Sequence, residues 1–288
     1  MPSSPLTSKP ASSTGRFIQV EHPEPAASRD FENELCFLSH RDPDVSSSAT
    51  PFDQATAACR CEWGTAGIDA LAPADVIIVV DVLSFTTCVD VATGRGAAIL
   101  PYAWNDATAV EFASRQSAEL ALKRGLGRYS LSPASYLEVP SDLRCVLPSP
   151  NGAVVALRAA QTASAVLVGC LRNAGAIAAA AGRLGATVNV CPAGERWRDG
   201  TLRPALEDLV AAGPILLQLQ GSKSPEAEAA IAAFERWRND LARCLAESGS
   251  GREMLGRGHA VDIEIAAAYD VSAHVPLLHG NAFRMAAA

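Results

Sequence analysis

The sequence predicts an α/β protein of three layers, in which helices cover both faces of a mostly parallel sheet. Strand-like and helix-like segments alternate from residue 52 onward, which is the order that a parallel sheet requires. Residues 76–80 are five consecutive aliphatic side chains, typical of a strand buried on both faces. Aromatic residues make up only 6% of the chain, and small aliphatic residues suit helices packed closely on a sheet. Two similar lobes around a cleft are an alternative arrangement within this fold class.

Residues 1–50 differ from the rest of the chain. They are rich in Ser, Pro and Thr and contain little that could form a core. Such segments bury too little apolar surface to offset the entropy lost on ordering. We therefore predict a disordered extension over residues 1–50 and one α/β domain over residues 51–288.

The first part of the domain contains three strands and two helices by pattern. The predicted strands cover residues 55–64, 74–83 and 97–103, and the predicted helices cover residues 84–96 and 105–125. Ser84 is a candidate cap for the first helix, with glycines at its end. Asn105 or Asp106 would open the second helix and Gly125 would close it.

The second part continues the alternation. Strand–turn–helix units are predicted at residues 145–163 and 165–185, a strand and loop at 187–195, helices at 205–219 and 224–248, and a helix with a short final strand at 261–281. Ligands of such sheets bind beyond the carboxyl ends of the strands. The residues that follow each strand are therefore the candidates for function.

Composition excludes several classes of partner. The net charge is −7 with no long basic run, which argues against nucleic acid. No uninterrupted apolar stretch is long enough for a membrane span, and no signal-peptide pattern follows Met1. The eight cysteines are scattered and include no CxxC pair, which favours free thiols in a reducing cytoplasm over a zinc site. The sequence is compatible with a homodimer.

Asp81 directly follows the most strongly predicted strand. It could be a metal ligand or general acid/base, or it could be a structural carboxylate at a strand–helix junction. The hydroxyls of Ser84, Thr86 and Thr87 follow within one turn of chain. These three residues are candidates for substrate binding.

Polar residues also follow the later strands. Candidate substrate-binding residues are Asn151, Gly152 and Asn173, and Arg172 would suit a phosphate or carboxylate group. Together with Asp81, the candidate oxygen ligands for Mg²⁺ are Glu195, Asp199, Glu207 and Asp208. Taken separately, these groups could equally be an ordinary turn, a solvated loop or a helix face.

The chain lacks a Walker A sequence, a GxGxxG after a strand, a GxSxG elbow and an HExxH motif. Three functions stay open from the residues alone. The first is a Mg²⁺-dependent phosphatase acting on a small acidic phosphoester, and the second is a non-catalytic binding protein for a small anionic metabolite. The third is an interaction protein that recruits a partner through residues 1–50. The density of acids favours the enzyme, because an anion-binding protein has no use for them.

The ordered series VVDVLSFTT, SPNGA, LVGCLRNA, CPAGE, LEDLVAAG and SGSGREMLGRGHAVDIEIAAAYDVSAHVPLL resembles the 2-phosphosulfolactate phosphatase family over residues 52–283. The resemblance implies a phosphoric monoester hydrolase of the α/β class. It implies a reaction that converts 2-phospho-3-sulfolactate to 3-sulfolactate with Mg²⁺. On this basis we expect Asp81, Asp208 and Arg172 to act in catalysis, with Asp81 as a metal ligand and water as nucleophile.

Two positions depart from the family pattern. Ser84 stands where the family usually carries Arg, so this chain lacks any contact that such an Arg makes with the substrate. Ala153 stands where the family has Thr, which removes a hydroxyl. Both changes bear on substrate identity, because they leave Asp81, Glu195 and Asp208 in place.

Overall fold

A computed structural model describes residues 50–286 of the 288-residue chain. The predicted extension at residues 1–50 lies outside the described residues except for its last position. Its disorder therefore stays a prediction, as does the domain boundary drawn there.

The described residues form an alternating series of strands and helices. The strands are β1 (Cys59–Cys61), β2 (Val76–Val80), β3 (Ala98–Tyr102), β4 (Glu119–Leu120), β5 (Arg144–Pro148), β6 (Ala165–Gly169), β7 (Val188–Pro192), β8 (Glu195–Arg196), β9 (Leu202–Arg203), β10 (Pro276–His279) and β11 (Ala282–Met285). The α-helices are α1 (Gly64–Ala70), α2 (Phe85–Thr93), α3 (Ala107–Arg115), α4 (Gly152–Ala159), α5 (Ala174–Leu184), α6 (Leu206–Gln218), α7 (Pro225–Trp237), α8 (Leu241–Glu247), α9 (Gly249–Gly256) and α10 (Ala260–Ala267). Two short 3₁₀ helices cover Pro133–Tyr136 and Leu171–Asn173.

Nine strands form one continuous sheet in the order β1-β7-β2-β6-β10-β11-β3-β5-β4. The pairings among β1, β7, β2 and β6 are parallel, and so are those among β3, β5 and β4. The β10–β11 hairpin joins these two groups through three antiparallel pairings. Three successive reversals make the two parallel groups run in opposite directions. The mostly parallel sheet is therefore confirmed, with an antiparallel seam at its centre.

Strand β2 shows why the fold has three layers. Ile78 and Val80 point into one hydrophobic cluster with side chains of α5, α6 and α7. Ile77 and Val79 point into a second cluster with side chains of α2 and α4. All five residues of β2 are buried, so the continuous aliphatic run was correctly interpreted as a strand covered on both faces.

The helix predicted over residues 105–125 is much shorter in the structure. It opens at Asp106 as expected, where the carboxylate accepts a hydrogen bond from the Thr108 amide, but it ends at Arg115. Ser117 then has a φ of 47°, which takes the chain out of the helix. Residues 119–120 pair with β5 instead, so hydrogen bonding to the sheet overrides local helix propensity.

The single helix predicted over residues 224–248 is two helices, α7 and α8. The break lies at residues 238–240, and Asp240 precedes the first turn of α8. Asn and Asp side chains compete with helical hydrogen bonding, which makes them common at such breaks. Helix α9, strand β11 and the small β8–β9 hairpin were not predicted. No helix of the described residues is both long and apolar enough to cross a membrane.

Candidate active site

Asp81 lies at the carboxyl end of β2, between two inner neighbours of the sheet, and is buried. Its Oδ2 accepts hydrogen bonds from the Gly152 amide at 2.8 Å and from the Ser149 hydroxyl at 3.4 Å. A Cβ at position 152 would come within 2.5 Å of the same oxygen, so only glycine allows this approach. The predicted position of Asp81 and its proximity to Gly152 are therefore both seen in the structure.

The meeting of Asp81 and Gly152 does not follow from a shared edge of the sheet. Strand β5 belongs to the group that runs opposite to β2, and five pairings separate the two strands. Helix α4 instead crosses the sheet face and packs against α1, β2 and β3. Its first residue, Gly152, is thereby brought to the end of β2.

Asp208 connects two loops at this site. It lies in the first turn of α6 and is buried. Its Oδ1 accepts a hydrogen bond from the Val82 amide at 2.8 Å, and its Oδ2 accepts one from the Gly194 amide at 3.0 Å. Asp208 therefore holds the segment after β2 against the segment after β7, and each of its oxygens keeps a free lone pair.

Glu195 and Glu207 complete the acidic group. The Asn151 side-chain amide donates a hydrogen bond to Glu195 Oε2 at 3.0 Å. Glu207 is buried, and among the described residues its Oε2 has no hydrogen-bond partner. An unpartnered buried carboxylate oxygen is costly, so this atom marks a position suited to a cation.

The four carboxylates lie close enough for their negative charges to repel one another. Burial, followed by the charge of Glu195, raises the pKa of Asp81 to about 7. Burial, followed by the charges of Asp81 and Glu207, raises the pKa of Asp208 well above its usual range. Burial also raises the pKa of Glu195. Within residues 50–286, no Lys, Arg or His forms a salt bridge with any of the four.

The acidic group is not a closed metal cage. In the described part of the chain, no three His, Cys, Asp or Glu side chains converge as a ready-made metal site. Mg²⁺ usually keeps several waters and takes only one or two protein carboxylates, with the substrate providing further oxygens. The acidic group is therefore not a preformed structural metal site in the described residues.

Three side chains predicted to bind substrate, Thr86, Thr87 and Asn173, form hydrogen bonds with nearby backbone groups. Thr86 Oγ1 donates to the Asp81 carbonyl and Thr87 Oγ1 donates to the Val82 carbonyl, both at 2.8 Å. Asn173 is fully buried, where it accepts from the Cys170 amide at 2.9 Å. In this geometry the three side chains stabilise the segments at the strand ends, and their contact with substrate stays a prediction.

Arg172 is bound to a residue that the sequence did not single out. Its Nε lies 2.8 Å from Oδ2 of Asp90, which is fully buried in α2. The Ser272 hydroxyl donates to the other oxygen of Asp90 at 2.6 Å, and Arg172 also donates to the Ile265 carbonyl. The guanidinium of Arg172 therefore neutralises a buried acid, and its contact with phosphate stays a prediction.

Asp199 is also separate from the acidic group. It lies exposed in the turn between β8 and β9, and its Oδ1 accepts two hydrogen bonds from Thr201. These bonds lower the pKa of Asp199, opposite to the direction found for Asp81, Glu195 and Asp208. The structure thus does not bring Asp199 to the site where it was predicted to bind metal.

One basic residue at the site was missed. Arg124 Nη2 donates a hydrogen bond to Ser84 Oγ at 2.8 Å, and its Nε forms a salt bridge with Asp262 at 3.2 Å. A guanidinium is therefore present over Ser84 although the family's Arg is absent from that position. Forty residues separate Arg124 from Ser84, and the segment around Arg124 had been interpreted as the end of a helix, so no local signal revealed the contact.

A comparison with protein families decides the relationship. The model for 2-phosphosulpholactate phosphatase matches residues 66–281, well over half of the chain. The chain belongs to this family. The family is named for a phosphatase, which is a phosphoric monoester hydrolase. Four of the six motifs that predicted the resemblance lie at the end of β2, the β5–α4 turn, the end of β6 and α6, and the other two lie at the end of β7 and over α9 to β10.

Curated relatives agree with this assignment. A probable 2-phosphosulfolactate phosphatase of Gloeobacter violaceus is 30% identical over 212 residues, which cover 70% of this chain and 87% of the relative. The 2-phosphosulfolactate phosphatase of Methanothermobacter thermautotrophicus is 29% identical over 204 residues, covering 69% and 85%. A probable enzyme of that name from Thermus thermophilus is 32% identical over 220 residues, covering 73% and 91%.

Proposed function

We propose that this protein hydrolyses 2-phospho-3-sulfolactate, consuming one water molecule and releasing 3-sulfolactate and inorganic phosphate, and that the reaction requires Mg²⁺. The observation that carries the proposal is the group of four carboxylates, Asp81, Glu195, Glu207 and Asp208, none of which forms a salt bridge with Lys, Arg or His within residues 50–286. Family membership supports the substrate, and the uncompensated acids support the metal.

The residues that would hold Mg²⁺ are Asp81 and Glu195, with Glu207 Oε2 as a further oxygen. When bound, Mg²⁺ neutralises charge on the phosphate oxygens and on the leaving alkoxide. Such neutralisation matters because a phosphate monoester reacts extremely slowly in water. Buried carboxylates that repel each other gain most from a cation, which is the physical reason for assigning the metal to this group.

The remaining residues position these acids. Gly152 and Ser149 orient the Asp81 carboxylate through hydrogen bonds to Oδ2. Asn151 orients Glu195, and Asp208 ties together the two loops that carry Asp81 and Glu195. Their contribution is to keep the carboxylates close together before substrate arrives, so that little reorganisation accompanies the reaction.

The alternative of a non-catalytic anion-binding protein is less well supported. A binding protein for phosphate or sulfonate needs cations and N–H donors, and four gathered carboxylates would repel its ligand.

The direct test is release of inorganic phosphate from 2-phospho-3-sulfolactate by the purified protein. We expect turnover with Mg²⁺, loss of turnover after exhaustive chelation, and recovery when Mg²⁺ is added back. Full activity after chelation would contradict the metal requirement. No phosphate release at any Mg²⁺ concentration would contradict the proposed function.

A further inference from the structure

A cleft of about 310 Å³ opens at the end of β5. Leu147 and Pro148, at the end of β5, form one wall, and Ser149, which hydrogen-bonds to Asp81, follows them directly. Residues 121–124 and the segment at 257–259 form the other walls. The cleft is large enough for part of a small organic acid.

The ionisable side chains that line this cleft are all basic. Lys123, Arg124, Arg257 and His259 all line it, and the lining includes no Asp or Glu. The acidic group differs, because its four carboxylates form no salt bridge within residues 50–286. The two neighbouring regions therefore suit different parts of one ligand.

The charges of the cleft are only partly neutralised. Arg124 is paired with Asp262, and Asp262 also accepts a hydrogen bond from the Ser132 hydroxyl at 2.5 Å. Arg257 is paired with Glu253 at the exposed surface. Lys123 is exposed and forms no salt bridge within residues 50–286. A positive charge therefore remains available to an anion in the cleft.

Arg124 links the cleft to the acidic group. It donates to Ser84 Oγ and to the Leu131 carbonyl, while Asp262 holds its Nε. These contacts hold the guanidinium at Ser84, which follows Asp81 by three residues. The Arg124 side chain is still 22% exposed. The guanidinium is thus close to the site and held in one orientation.

We infer that this cleft binds the sulfonate of the substrate and that Arg124 is the residue that determines specificity for it. The inference rests on the proposed function and deepens it. Under the proposed function, the phosphate of the substrate lies with Mg²⁺ at the carboxylates. The sulfonate is attached to the same three-carbon skeleton, so it must lie near the phosphate but away from the acidic side chains. A sulfonate stays ionised at every ordinary pH, and a fixed guanidinium with a neighbouring ammonium is the chemistry that recognises it.

The test compares two substrates that differ only in the sulfonate: 2-phospho-3-sulfolactate and 2-phospholactate. For Arg124→Gln we expect KM for the sulfonated substrate to rise roughly tenfold to a hundredfold, the range for losing a charge-assisted hydrogen bond. KM for 2-phospholactate and both kcat values should change by less than about twofold. Arg124→Lys, which keeps the charge, should recover part of the loss.

Arg128→Gln is the matched control, because Arg128 lies on the same segment, does not line the cleft and stacks on Tyr129. It should leave both KM values unchanged. Lys123→Gln removes a cleft charge without breaking a salt bridge, so it covers the case in which Arg124→Gln does not fold. We expect Lys123→Gln to raise KM for the sulfonated substrate alone, by a few-fold.

Calorimetric binding of 3-sulfolactate and lactate separates this inference from the proposed function. Sulfonate-selective binding that weakens in Lys123→Gln supports the cleft even if the protein releases no phosphate. Turnover with an equal rise in KM for both substrates in these variants would overturn it, because the cleft would then bind the phosphate or carboxylate. Unchanged KM values in both variants would overturn it as well.

Discussion

The substitution Asp81→Asn separates a functional acid from a structural one by the sign of its effect on stability. The pKa of Asp81 is about 7 in the folded protein, against an ordinary value of 3.8. The native state therefore binds more protons than the unfolded state between these pH values. The resulting destabilisation is absent below about pH 4, grows as pH rises, and is complete above pH 7.

The pKa difference corresponds to a destabilisation on the order of 4 kcal/mol at pH 8 and on the order of 1–2 kcal/mol at pH 5. Asn removes this cost, because it is neutral and its oxygen can still accept from the Gly152 amide. Its NH₂ group introduces a new cost of about 1–3 kcal/mol if it stays unpaired. That new cost is the same at both pH values. The difference between the two pH values in the effect of the substitution should thus be about 2–3 kcal/mol.

The assay is thermal unfolding of the metal-free protein at pH 5 and pH 8, alongside phosphate release with Mg²⁺. For a domain of this size, 2–3 kcal/mol corresponds to a Tm difference of about 5–10 °C. The Tm of the variant should be higher than that of the parent at pH 8 and equal or slightly lower at pH 5. Its kcat should fall by at least about 10²-fold. An equal fall in Tm at both pH values with turnover retained would refute the reasoning and make Asp81 a structural residue.

Two further Asp→Asn substitutions should behave differently: one should lower stability and the other should leave it unchanged. Asp90→Asn leaves Arg172 without its buried partner, so the free energy of unfolding in urea should fall by about 3–5 kcal/mol; an unchanged value would show that the ion pair contributes nothing. Asp199→Asn changes an exposed turn, so stability should stay within about 0.5 kcal/mol and turnover within about twofold. A large loss of turnover in that variant would return Asp199 to the site.

Features that depend on neighbouring residues were predictable from the sequence. The aliphatic run 76–80 was correctly interpreted as a buried strand, and the position of Asp81 follows because the residue after such a strand must lie at its end. The strand–turn–helix order around Gly152 was also correct. Each of these depends on a pattern within about ten residues, which is the range over which hydrophobic periodicity carries information.

Features that depend on distant segments were not predictable. Arg172 pairs with Asp90, which lies 82 residues earlier in the chain. The residues around Arg172 give no sign that its partner is a buried carboxylate. The same holds for Arg124 and Ser84. Helix α3 ends early because β5 offers hydrogen bonds to residues 119–120, and that partner is invisible to local propensity. Tertiary contacts therefore determine which partners these two arginines have and where helix α3 ends.

The antiparallel seam of the sheet has a consequence for synthesis of the chain. Residues 276–285 form the hairpin between β6 and β3, so neither strand has its partner on that side until the ribosome has made them. Until then the apolar strand β6, Ala165–Gly169, presents an open edge, and open apolar edges pair readily with other chains. Premature termination before residue 276 should thus yield an aggregation-prone product that chaperones must hold, even though most of the core residues have already been translated.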